Sequence, residues 1–186
     1  MPTARPSFQL ETIVSNGELG TDRAALDFAM AGNIRHFGFC VRGRHCEDGR
    51  LPLRYNLIET ASYGDAEAIF LNISCSDGTI IFDSLPSSKR SLRTVMALAS
   101  CKRARRPFLM LQSDFDAAAD TRQIANFLTT FRPASLHITG RTESEAAGIS
   151  AHVATVLSLA SIKAAPLSKI LLRPSPMADP QGCASL

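Results

Sequence analysis

The sequence predicts an α/β protein with a mostly parallel sheet, and three observations carry that expectation. Short apolar runs alternate with stretches of helical periodicity through most of the 186 residues, the pattern of repeated βαβ units. The run Phe37-Gly38-Phe39-Cys40 is continuous in apolar character, as in a strand covered on both faces. Glycine-bearing turns follow strands and lead into helix starts, first at Ser15-Asn16-Gly17 with Gly20 close behind. Together these describe a Rossmann-like three-layer α/β/α sandwich.

Composition narrows the functional classes. An apolar fraction of 45% with 20% charged residues is ordinary for a globular chain of one domain. The net charge of +3 is too small to argue for a nucleic-acid partner. No apolar stretch reaches the roughly 20 residues of a membrane span, and the N-terminus has no hydrophobic signal core. The five cysteines form no C-x-x-C pair and are odd in number, which argues against a disulfide framework and for a reduced, cytoplasmic protein. Cys40, His45 and Cys46 are the one suggestive cluster, short of the four ligands of a structural zinc site.

In order, residues 8–14 read as the first strand, entering the glycine turn. Thr21 to Ala31 reads as a largely buried helix, with Ala24, Ala25, Leu26, Phe28, Ala29 and Met30 around most of its circumference. Gly32-Asn33 closes it. Residues 34–40 form the second strand. Residues 42–60 carry no helical period and are longer than an ordinary connection, a feature of functional loops. Asp65 opens a helix with Ile69 and Ile73 on its inner face; 78–82 is the third strand, and a turn leads to a helix ending in Lys102, Arg103, Arg105 and Arg106. Those cations complement the helix dipole. A fourth strand over 107–112, a helix from Ala117 to Phe131, a fifth strand over 135–139 and a helix from Glu143 to Leu159 complete the domain, spanning 8–162. Residues 163–186 read as a proline-containing mobile tail, in which Ile170-Leu171-Leu172 is the one run suited to an edge strand.

Ligands of open parallel sheets sit outside the carboxyl ends of the strands, and the conspicuous polar motifs follow strands. The first is Asn16, Gly17, Gly20, Thr21, Asp22 and Arg23, where unpartnered N–H groups and the helix dipole favour an anion. The second is Arg44, Glu47 and Asp48 in the long loop. The third is Ser88, Lys89 and Arg90, suited to charge-assisted bonds with phosphate. The fourth is Gly140, Glu143 and Ser144. Ser76 and Asp77, before the third strand, complete the candidate set. His36, His45, His137 and His152 are scattered, and no nucleophile elbow or H-E-x-x-H motif is present. Binding is therefore expected in preference to catalysis, with no catalytic or metal-ligating residue assigned.

In this order the motifs resemble the circularly permuted YpsA-like branch of the SLOG superfamily, regarded as carriers of molybdenum or its cofactor. The family's G-G-Q-T-G-V-D-R-A-A-L-D pattern matches residues 16–27. Its G-W-C-P-x-G-R-x-x-E-D-G-x-I-P-x-x-Y-x-L-x-E-T pattern matches Gly38, Cys40, Gly43, Arg44, Glu47, Asp48, Gly49, Pro52, Tyr55, Leu57, Glu59 and Thr60. N-V-x-x-S-D-G-T-L-I matches residues 72–81, and a late G-x-x-E-S matches Gly140, Glu143 and Ser144. The resemblance implies self-association as a dimer or tetramer. It also implies an anionic small-molecule ligand at the strand ends: the molybdenum cofactor or a nucleotide-derived compound.

The departures are specific. Asn16 replaces the first paired glycine, Glu18 replaces glutamine, and Arg141 stands one position early. The family's second glycine loop, of the form G-G-T before a helix, has no glycine here, where the chain reads Ser88-Lys89-Arg90-Ser91-Leu92-Arg93-Thr94, so phosphate contacts there fall to Lys89 or Arg90. Two alternatives stand beside a carrier. One is a nucleotide phosphoribohydrolase, as in the wider superfamily, whose P-G-G-x-G-T-x-x-E loop has no counterpart here. The other is a diverged, non-binding assembly partner.

Overall fold

The computed structural model describes residues 10–83 and 90–160. In chain order the strands are β1 (Thr12–Val14), β2 (Arg35–Cys40), a small antiparallel hairpin of β3 (His45–Cys46) and β4 (Gly49–Arg50), then β5 (Leu57–Glu59), β6 (Gly78–Phe82), β7 (Phe108–Leu111) and β8 (Ser135–Gly140). The helices are α1 (Thr21–Ala31), α2 (Asp65–Ser74), α3 (Leu92–Ala104), α4 (Ala117–Phe131) and α5 (Ile149–Leu159). Six strands form one parallel sheet in the order β5-β2-β1-β8-β6-β7. This is the Rossmann-like α/β fold expected from the alternating pattern.

Helices α1, α4 and α5 cover one face. Ile13, Ile80, Phe82, Leu136 and Ile138 of the sheet meet Ala25, Ile124, Val153 and Val156 there. Helices α2 and α3 cover the other, where Ile81 meets Ile69, Ile73, Ala97 and Cys101. Every residue of β6 is buried, which accounts for its apolar run Ile80-Ile81-Phe82. A third cluster (Leu26, Cys40, Leu51, Tyr55, Leu57) ties the 42–60 segment to the back of α1.

The interior strand β8 separates β1 from β6, with Thr12 opposite Ser135 and Thr79 opposite His137. The four described cysteines, Cys40, Cys46, Cys75 and Cys101, are free. No helix among the described residues is long and apolar enough to cross a membrane.

Two expectations are corrected. The sheet has a sixth strand, β5, inside the stretch read as irregular. It is three residues long, pairs only with β2 and is exposed at two of three positions, so it leaves no pattern of period two to detect. The last helix begins at Ile149, six residues later than expected. Residues 141–148 form turns, because Gly148 is left-handed at φ 89° and Glu143 reaches forward to accept from the Gly148 and Ser150 N–H groups at 2.5 and 3.1 Å. The tail at 163–186 and the turn at 84–89 lie outside the described residues.

Candidate functional site

The carboxyl edge of the sheet gathers the starts of α1, α2 and α3, the turn after β8 and the β3–β4 hairpin. Its first feature is a closure. Gly20, at φ 115°, forms an antiparallel bridge with Thr142. The Thr21 N–H and hydroxyl both donate to the Arg141 carbonyl at 3.2 and 3.0 Å, and the Glu143 N–H donates to the Leu19 carbonyl at 3.1 Å. A Cβ on Gly20 would lie 2.6 Å from the Glu143 nitrogen. The glycine expected to admit a ligand to the α1 start admits the protein's own backbone instead.

Behind this closure lies a buried ionic cluster. The Asp22 carboxylate, on the first turn of α1, pairs with the Arg93 guanidinium on the first turn of α3. A second Arg93 nitrogen lies 2.6 Å from Asp65 at the start of α2. Arg93 therefore joins three helix starts. Arg141 pairs with Asp83 at 2.7 Å, both buried, just past the ends of β8 and β6. Burial pushes the Asp22 carboxyl up to about 6, although Arg93 and the Thr139 hydroxyl favour its charged form. Arg93 is held firmly protonated: burial opposes its charge, but the two carboxylates outweigh that cost.

Polar atoms without a partner among the described residues surround this cluster. They include Arg93 Nε, Asn16 Nδ2, the Thr94 hydroxyl and His137 Nδ1. Asn16 Oδ1 lies 3.3 Å from His137 Nε2. Complete burial, with Arg93 nearby, drives the His137 pKa down to about 3, so its imidazole is neutral at physiological pH. A neutral ring facing Asn16 Oδ1 donates through Nε2, which leaves Nδ1 as an acceptor. Native interiors leave few such groups unpaired. Here they come from α3, from the turn after β1 and from β8.

The hairpin supplies a different kind of chemistry. Arg23 makes a two-pronged pair with Asp48 and donates through Nε to the Gly17 carbonyl at 3.3 Å. That pairing holds the Asp48 carboxyl below its usual range. Glu47 accepts from the Ser144 N–H at 3.2 Å and hydroxyl at 2.5 Å, while its own N–H donates to Glu18 at 2.9 Å. Arg23 with Asp48 and Glu47 with Ser144 thus form two bonded pairs at this edge.

Several other candidates are placed differently. Arg44 is buried and donates to four carbonyls, those of Leu51, Leu57, Pro52 and Tyr55, at 2.9–3.2 Å. It is the internal clamp of the 42–60 segment. Gly17, at φ 90°, is required by Leu51 and Leu57, whose side chains would lie 2.7 and 2.8 Å from a Cβ. Gly140 is required by strand contact, since a Cβ there would lie 2.2 Å from the Phe82 carbonyl oxygen.

Glu143 binds the start of α5, and the Ser150 hydroxyl, at 2.6 Å, keeps its carboxyl low. Ser76 and Asp77 lie at the opposite, amino edge. Ser76 donates to the Asn72 carbonyl, and Asp77 accepts from the Ser135 N–H and hydroxyl. They precede their strand, and in a parallel sheet strand starts and strand ends are a strand length apart. Ser88 and Lys89 are outside the described residues; Arg90 is exposed at the approach to α3.

A family model matches residues 13–160, described as the circularly permutated YpsA SLOG family. The chain belongs to that family. A solved structure, of a protein from Syntrophus aciditrophicus named "putative molybdenum carrier protein", superposes with a TM-score of 0.76 at 25% identity. The match covers 82% of this chain and 95% of that one. No curated protein matches.

For this cpYpsA-type chain the sequence reading missed Arg93, Asp65 and Asp83 as parts of the edge. Arg93 carried a usable signal. A cation on the first turn of a helix opposes the dipole, so an arginine just after the Ser91 N-cap implies nearby carboxylates. Asp83 directly follows the apolar strand β6, the position where a parallel sheet presents polar groups to ligands.

Proposed function

We propose that this cpYpsA-family chain is a carrier that holds a phosphorylated, anionic small molecule at the carboxyl edge of its sheet. The ligand is the molybdenum cofactor or a nucleotide-derived compound. The observation that carries the reading is Arg93: a buried guanidinium at the start of α3, with Nε unpartnered among the described residues and with the Asn16 amide and Thr94 hydroxyl among the unpartnered groups around it. Fixed donors and a helix start complement phosphate oxygens. The structural neighbour's name supports the molybdenum version of the reading. Lys89 and Arg90, on the approach to the same helix, supply the outer cations.

Calorimetry against molybdopterin, molybdate and a nucleotide panel tests this. At least one ligand binds, and Asn16→Ala or Lys89→Ala weakens it about tenfold, or ~1.4 kcal/mol. A null across the panel overturns the reading. Self-association as a dimer or tetramer belongs to the same proposal, and light scattering of the purified chain decides it.

The second reading, a non-binding assembly partner, is favoured by one observation. The Gly20–Thr142 bridge fills the α1 start with backbone. A null ligand panel combined with a defined oligomer would select it.

A further inference from the structure

This inference rests on the anion-site reading and concerns how that site manages charge. The buried edge holds three carboxylates, Asp22, Asp65 and Asp83, against two guanidiniums, Arg93 and Arg141. Among these described buried groups, carboxylates outnumber guanidiniums by one before any ligand arrives. Adding an anion beside Arg93 deepens that surplus where water does not screen it. The site must then take up a cation or discharge a carboxylate.

The geometry selects which carboxylate. Asp83 is paired with Arg141 at 2.7 Å, and Asp65 is about one-third exposed. Asp22 is buried and shares Arg93, its one cationic partner among the described residues, with Asp65. Four groups face it: Arg93 from α3, Asp65 from α2, Glu18 from the turn before α1 and the Thr139 hydroxyl from β8. His137 lies within the field of Arg93 and stays neutral. Of its charged neighbours among the described residues, two are negative, and the positive one, Arg93, is the group an incoming anion engages.

We propose that the site binds its anion together with one proton, which Asp22 accepts as the anion takes its place beside Arg93. The exchange balances. The Asp22–Arg93 ion pair is replaced by an anion–Arg93 pair, and a proton from solvent neutralises the released carboxylate. The resulting O–H can donate to the Thr139 hydroxyl. The raised pKa of Asp22 in the free protein means that little further perturbation is needed near neutrality.

Phosphates titrate in the same range, so the probes are molybdate, sulfate and the sulfate ester of adenosine. Each is titrated by calorimetry in pairs of buffers with different ionisation enthalpies, with and without magnesium. Proton uptake per bound anion lies between zero and one. Affinity rises as pH falls toward about 6, by at most about tenfold per pH unit, and levels off below, where Asp22 is already protonated. In Asp22→Asn the same probe binds with no uptake and no pH dependence. If that variant does not fold, the buffer pairs on the unmodified chain decide the matter.

Binding that is independent of pH, or that requires magnesium without proton uptake, overturns the proton coupling and leaves the anion site standing. Absence of binding by every probe at every pH overturns this coupling, and if the cofactor and nucleotide panel is also null it overturns the site as well.

Discussion

Arg44 and Arg93 are both buried arginines at the carboxyl side of the sheet, and they are satisfied in opposite ways. Arg44 faces four backbone carbonyls belonging to one stretch of chain, residues 51–57. Its partners are neutral, fixed and local, so its effect is to set the shape of a loop. Arg93 faces two carboxylates from two other helices and keeps one nitrogen without a described partner. Its partners are ionic and come from two other elements. A family motif that names an arginine does not say which kind it is. Here a motif arginine is the clamp, and the one set among carboxylates stood outside every matched motif.

The largest way to break this comparison is Arg93→Met. It leaves Asp22 buried without its countercharge and should cost about 3–5 kcal/mol, read as a lower urea midpoint. The double variant Asp22→Asn/Arg93→Met should recover more than half of that loss, a coupling that a merely steric role would not give. Arg44→Met should cost about 2–4 kcal/mol through stranded carbonyls. Its signature is local: hydrogen exchange accelerates across residues 49–59 while β6 and β8 keep their protection.

The third prediction concerns acid. His137 has an ordinary pKa of 6.5 and about 3 when folded. The unfolded chain therefore binds the extra proton, and stability falls as pH drops below about 6.5 toward about 3. Asp22 has the opposite sign. Its folded pKa of about 6 exceeds the ordinary 3.8, so its contribution is fully present below about 3.8 and is lost as pH rises through about 6. Between those values the two oppose each other. His137→Gln should remove the His137 share of the acid-side loss and make the fall below about 6.5 shallower, leaving the losses from Asp48 and Glu143, whose carboxyls are held low, against the gain from Asp22; an unchanged unfolding profile would contradict the assignment. The smallest effect is Arg23→Ala, at most about 1 kcal/mol and weaker in high salt, because Asp48 is exposed.

Much of the fold was legible because it rests on repeated local signals. Helix α1 was bounded by its glycines and β6 marked by its apolar run; the Asp116 cap of α4, whose carboxylate accepts from the Ala119 N–H, is a local signal the sequence also carries. Strand β5 was illegible because three residues at a sheet edge carry no periodicity. The site was legible as an edge and illegible as a set of contacts. Ser76 and Asp77 were carried to the wrong end by a motif, although their place before β6 located them correctly. Glu143 and Gly140 looked like a second ligand turn because a glycine needed for strand contact and a carboxylate capping a distant helix look the same in sequence. Pairings such as Arg93 with Asp22, 71 residues apart, depend on how helices converge, which no local pattern encodes.

The position of β8 has a consequence for how the chain acquires its structure. As synthesis proceeds, β1, β2 and β5 can assemble on one side and β6 and β7 on the other, but neither group touches the other in the finished sheet. Only when residues 135–140 have emerged can the two halves be zipped together through the centre. Until then both inner edges expose unpaired backbone, the state most open to mispairing with other chains. Such long-range closure also slows folding. A chain truncated before Ser135 should therefore give two incompatible half-sheets in place of a smaller version of the protein.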